Sequence, residues 1–165
     1  MRLTLLILIS LLVSICLVQC KTLPPEFHGT FKLERDENFD DYLTARGYGW
    51  IMRQVIKLAS VTKIFRDAAS GKPNRYDMEN LTTKKDTHHR DWALGEEFSD
   101  EALDSTIHKI TFDLKNSTIL TEKHIKTEDP SDVETYEYTR EGDYLVMKMC
   151  WQGTCCRRYY RKECC

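Results

Sequence analysis

Near its end the chain reads CCRRYYRK, residues 155–162, with guanidinium and phenol side chains in alternation. On an extended strand Arg158 and Tyr160 share one face, while Arg157, Tyr159 and Arg161 share the other. TYEYTR at 135–140 repeats the theme: Tyr136, Tyr138 and Arg140 fall together, opposite Thr135, Glu137 and Thr139. A tightly filled β-barrel core would be apolar inside. Polar side chains on inward faces imply a cavity holding water, a ligand or both. The alternative is that every polar face points outward, and the surroundings of Arg158 argue against it.

Other chemistry is thinly represented. His88 and His89 are adjacent, so a strand sends them to opposite sides, and His28, His108 and His124 are scattered. There is no Gly-x-Ser-x-Gly elbow and no His-Glu-x-x-His pair, which leaves no hydrolase or metal-enzyme constellation and no cofactor motif. Five cysteines, Cys150, Cys155, Cys156, Cys164 and Cys165, crowd the last sixteen residues, and none occurs between 21 and 149. Their spacing matches no common zinc pattern. Local bridging or a ragged tail at about 161–165 is expected, with the core standing unstapled. Two sequons begin at Asn80 and Asn116, and the second reads as the more accessible because it follows FDLK in a turn.

The elements that position these residues are short. A strand is expected over Gly29–Glu34. Asp36 or Asn38 then caps a helix from Phe39 to Ala45, and RGYG breaks it. A second helix, Trp50 to Ala59, carries Ile51, Met52, Val55, Ile56, Leu58 and Ala59 at helical spacing, with Arg53, Gln54 and Lys57 opposite. That pattern predicts a helix packed on the rest of the domain; a membrane-touching role for Arg53 and Lys57 is the second option. After Ser60 the period shortens to two, and turn signals such as SGKPN, DLKNS, EDPSD, REGD and WQG separate eight or nine strands. Sequential antiparallel hairpins close into an up-and-down barrel.

The first twenty residues, MRLTLLILISLLVSICLVQC, have a basic start and an apolar run without an acid, the form of a secretory signal peptide cut after Cys20. A membrane anchor and a lipid-modified Cys20 are the rival readings. Residues 21–165 are the size of one domain. A formal charge of −2 gives no global field toward nucleic acid.

GTFKLERDENFDDYL at 29–43, LGEEF at 94–98, and GDYLVMKMCWQG followed by RRYY together resemble the intracellular lipid-binding protein family, the fatty-acid- and retinoid-binding proteins. The leader and FRDAASGKPNRY resemble its secreted nematode branch. The resemblance covers 26–162. It implies a mainly β fold: a ten-stranded antiparallel barrel, or β-clam, capped by a helix-turn-helix at about 38–59 around a large cavity. The implied activity is non-enzymatic carriage of a long-chain fatty acid by a secreted monomer, with a retinoid or another hydrophobic molecule as the alternative cargo. Transient membrane contact through the lid is a further implication. Arg158 and Tyr160 fall on the family's carboxylate-holding pair. A buried guanidinium is costly unless paired, and a carboxylate supplies that pairing. The family's second cavity arginine corresponds to Tyr138, with Arg140 two residues along the same face. Phe39, Leu43, Met52, Val55, Met147 and Met149 are expected along the acyl chain. LTTKKDT at 81–87 departs from the family where a portal phenylalanine is usual.

Overall fold

Hairpin follows hairpin along most of the chain, and the turns explain the register. The computed structural model describes residues 21–164; the expected leader at 1–20 and Cys165 lie outside the described residues. A single 3-10 turn, Pro25–Phe27, precedes strand β1, Gly29–Glu37. Helices α1, Phe39–Ala45, and α2, Trp50–Lys57, follow. Then come β2 (Val61–Asp67), β3 (Tyr76–Thr82), β4 (Thr87–Trp92), β5 (Glu97–Glu101) and β6 (Ile107–Asn116). The series ends with β7 (Ile119–Lys126), β8 (Val133–Glu141), β9 (Tyr144–Trp151) and β10 (Thr154–Lys162). The hydrogen-bonded order is β4-β3-β2-β1-β10-β9-β8-β7-β6-β5. The ten strands make a nearly closed antiparallel barrel, with the gap between β4 and β5.

The turn between β9 and β10 sets the face on which Arg158 lies. Gln152 and Gly153 both have positive φ, 47° and 85°. This is the two-residue hairpin geometry whose twist matches the flanking strands. It pairs Cys155 with Cys150 and Arg158 with Met147. Cys150 and Cys155 form a disulfide, so the expected local bridging is found there, while Cys156 is a buried free thiol. Burial pushes that thiol up to about 12, which keeps it protonated and unreactive.

The lid departs from expectation in two ways. Asn38 does not cap α1 with its side chain; it sits at φ 55°, a left-handed conformation that asparagine tolerates and that turns the chain from β1 into the helix. Helix α2 is turned over. Arg53 and Lys57 pair with Asp40 of α1, at 3.3 and 3.0 Å. Ile56 packs against the core, but Trp50, Ile51 and Leu58 are exposed, Leu58 at 85%. The helix packed on its apolar face that periodicity predicts is therefore not found. Amphipathicity fixes that a face is apolar, not what covers it.

Inside the barrel, aromatic side chains from several strands meet. Phe65 of β2 meets Phe112 of β6 edge-on at 6.5 Å between ring centroids, and Tyr138 of β8 at 5.8 Å. Trp92 and Phe98 stack on Phe112. Walls far apart in the strand order thus touch through their aromatic side chains.

Candidate functional site

Arg158 points inward. The residue is 8% exposed, and its guanidinium lies 4.1 Å from the Phe39 ring centroid at the start of α1. Its Nε is buried without a hydrogen-bond partner. An unpaired buried donor costs desolvation energy, which the contact with the Phe39 ring offsets only in part. Tyr160, two residues on, is fully buried beside it, and its hydroxyl finds only the Met147 sulfur at 3.7 Å. Burial raises the Tyr160 phenol and Arg158 counters it, so the group remains a neutral donor.

The other face of β10 is not simply solvated, as alternation alone predicts. Arg157 and Arg161 are exposed, but Tyr159 is buried on the outside of the barrel. A register shift in β1 between Leu33 and Arg35 brings Arg35 over the Tyr159 ring at 3.4 Å. Tyr159 donates to Glu37 at 3.0 Å, and Arg161 pairs with Glu34.

The other predicted site residues divide. Phe39 and Leu43 are buried under the lid, and Tyr138, Met147 and Met149 line the interior. Met52 and Val55 are not with them: both stand on α2, Met52 half exposed. Arg140 does not join Arg158. It lies one row nearer the β8–β9 turn, donates to the Gly142 carbonyl at 3.0 Å and stacks over Phe31 at 4.9 Å. The reason is reach: with the turn two residues away, its guanidinium finds a carbonyl there. Tyr138, where a second arginine was sought, donates to Glu122 instead.

Sequence reading missed a set of buried polar residues around this point. Lys63 of β2 donates to Asn80 Oδ1 at 2.6 Å, and Asn80 Nδ2 donates to Thr87 at 3.1 Å. Glu122 bonds His124 at 2.8 Å, and the His124 and His108 rings approach within 3.3 Å on the way to the surface. Burial drives the Lys63 ammonium down and Glu122 opposes this, leaving it at about 8. Burial pushes Glu122 up, but His124, Lys63 and Tyr138 outweigh it and hold the carboxyl at about 2. The signal was available: Lys63 shares the inward period of Val61 and Phe65, and Glu122 and His124 share that of Leu120. The same network buries Asn80 and occupies its amide, whereas Asn116 is exposed in the β6–β7 turn. Only the second sequon is presented to solvent.

The lid over this site is latched on one side. Tyr42 of α1 donates to Glu134, and Arg46 pairs with Asp132 at 2.9 Å and Glu134 at 3.1 Å while lying over Trp151. At 81–87, Lys85 reaches Ser105 and the Ala102 carbonyl, tying the β3–β4 turn to the β5–β6 turn.

No family model matches the chain. A fatty acid-binding protein homolog of Ascaris suum is 72% identical over 163 residues, which is 99% of this chain and all of the relative. Fatty acid-binding protein homolog 3 of Caenorhabditis elegans is 47% identical over 142 residues, 86% of this chain and 84% of that one. Among solved structures, As-p18, described as an extracellular fatty acid binding protein, superposes with a TM-score of 0.86 at 79% identity. That match covers 87% of this chain and all of the other.

Proposed function

The chain belongs to the fatty-acid-binding protein family, and from that premise we propose that it is a secreted, non-catalytic carrier of long-chain fatty acids, with the carboxylate held by Arg158 and Tyr160. One observation carries the headgroup assignment: a nine-tenths buried guanidinium with an unpartnered Nε, beside a buried tyrosine whose hydroxyl finds no oxygen. A ligand carboxylate supplies what both lack, through charge-assisted bonds worth about 1.5–3 kcal/mol each. The acyl chain contributes the remainder, about 0.8 kcal/mol gross per buried methylene. Uptake requires the lid to open.

The two helices divide that task. Helix α1 covers Arg158 through Phe39 and is latched by Glu134 and Asp132. Helix α2 turns Trp50, Ile51 and Leu58 outward, and this face is suited to brief contact with a membrane that donates or accepts the cargo. Secretion rests on the leader-like first twenty residues and on the extracellular description of As-p18.

Titration of delipidated protein with a fluorescent long-chain fatty acid tests the reading. One saturable site, emptied by oleate, is expected. Absence of any oleate-displaceable signal contradicts the assignment, and displacement by retinoic acid with none by oleate moves it to the alternative cargo.

A further inference from the structure

The cation missing from β8 has a replacement on β2, beside the same tyrosine that Arg158 approaches. The Lys63 ammonium lies 5.4 Å from the Tyr138 ring centroid and 5.8 Å from that of Tyr160; the Arg158 guanidinium lies 5.9 Å from the Tyr160 centroid. Both cations are buried and both flank Tyr160. Lys63 is held for this position. Its neighbour Asn80 is oriented by Thr87, so that the amide oxygen faces the ammonium and takes one of its three donors. Around it stand Tyr138 from β8, Tyr160 and Arg158 from β10, and, acting through its charge, Glu122 from β7.

The charges can be counted. Leaving the imidazoles out of the count, this region holds Lys63 and Arg158 against Glu122, a net charge of +1. Glu122 is occupied by Tyr138 and His124, which leaves it no role as the acceptor for Arg158. A buried excess of one cation asks for one monovalent anion. We propose that Lys63 is the second cation of the headgroup site, gripping a single ligand carboxylate together with Arg158, and that Glu122 sets the site's charge so that it selects monovalent acids over neutral lipids. This rests on the carrier reading above.

The test compares oleate with oleyl alcohol on the parent protein, Lys63→Met, Lys63→Arg and Glu122→Gln. Lys63→Met is expected to weaken oleate binding about tenfold and alcohol binding less than twofold; Lys63→Arg retains oleate. Glu122→Gln also removes the charge that supports the Lys63 ammonium, so it is measured at pH 6, where Lys63 stays protonated and the count is +2, and is expected there to tighten oleate severalfold. Equal oleate affinity in the parent and Lys63→Met overturns the role of Lys63, and weaker oleate binding with unchanged alcohol binding in Glu122→Gln overturns the charge count. A parent that binds neither lipid fails the carrier reading itself, a distinguishable result. If Lys63→Met does not fold, lysine-labelled parent protein decides by NMR: the Lys63 titration, near pH 8 without ligand, moves up by a unit or more with oleate and stays in place with the alcohol. A titration that oleate leaves unmoved overturns the proposal.

Discussion

The two faces of β10 carry the same two side-chain types in opposite electrostatic circumstances. Outside, Arg161 pairs with Glu34, Tyr159 with Glu37, and Arg35 closes over the Tyr159 ring. Inside, Arg158 also lies on an aromatic ring, that of Phe39, but no carboxylate bonds it and its Nε is unpartnered. The outer face is a finished surface network in water. The inner face has the same two side-chain types with no protein carboxylate bonded to Arg158 among the described residues. Stability explains the first face. The proposed binding role would account for the second, because a buried cation is retained against its desolvation cost only where something answers it.

Changes to the inner face should be the more costly. Phe39→Ala removes the ring over Arg158 and leaves a void beneath α1, and is expected to cost about 3–5 kcal/mol in urea unfolding. Next comes pH. The folded-state value of Glu122, about 2, lies below its ordinary 4.5, so its contribution is present above pH 4.5 and lost as pH falls through 2. That loss is up to about 3 kcal/mol, and Glu122→Gln should remove it from the acid limb. Lys63 runs the other way. Its folded value, about 8, lies below the ordinary 10.5, so the unfolded chain holds more protons between these values and stability rises with pH across that window. Cys156 and the buried phenols, all raised, pull the other way above about pH 9, so the rise is read between pH 8 and pH 9 as the difference between the parent and Lys63→Met. Tyr160→Phe deletes one donor and should weaken oleate binding by about 1 kcal/mol, or fivefold. Arg161→Ala, on the outer face, should change stability by less than about 1 kcal/mol and leave binding unmoved. If the outer variant damaged binding as much as the inner ones, the contrast between the two faces would dissolve.

Much of this was legible in the sequence. Period-two alternation and the turn signals give the strand series, and the WQG turn fixes the phase that sends Arg158 inward. The lid helices follow from the cap and breaker residues around Phe39–Ala45 and RGYG. What alternation does not carry is the environment on either side of a strand. Tyr159 is covered from outside because a β1 irregularity more than 120 residues earlier delivers Arg35 to it. Periodicity identified the apolar arc of α2, yet that arc faces solvent while Arg53 and Lys57 pair with Asp40 of the neighbouring helix. Arg140 was placed on the correct face, but proximity to a turn carbonyl redirected it. Lys63, Glu122 and Asn80 kept the inward period in plain view. They pass unnoticed because a strand with polar residues on both faces gives no single-sequence measure of which polar residues are buried.

The central claim is that the inner guanidinium of β10 recognises a carboxylate. Isothermal titration of parent protein and Arg158→Met with oleate and with methyl oleate tests it directly. The account predicts that Arg158→Met loses about 10- to 100-fold in oleate affinity, equivalent to about 1.5–3 kcal/mol, while methyl oleate binds both proteins alike. Oleate binding of equal strength in the two proteins would contradict it.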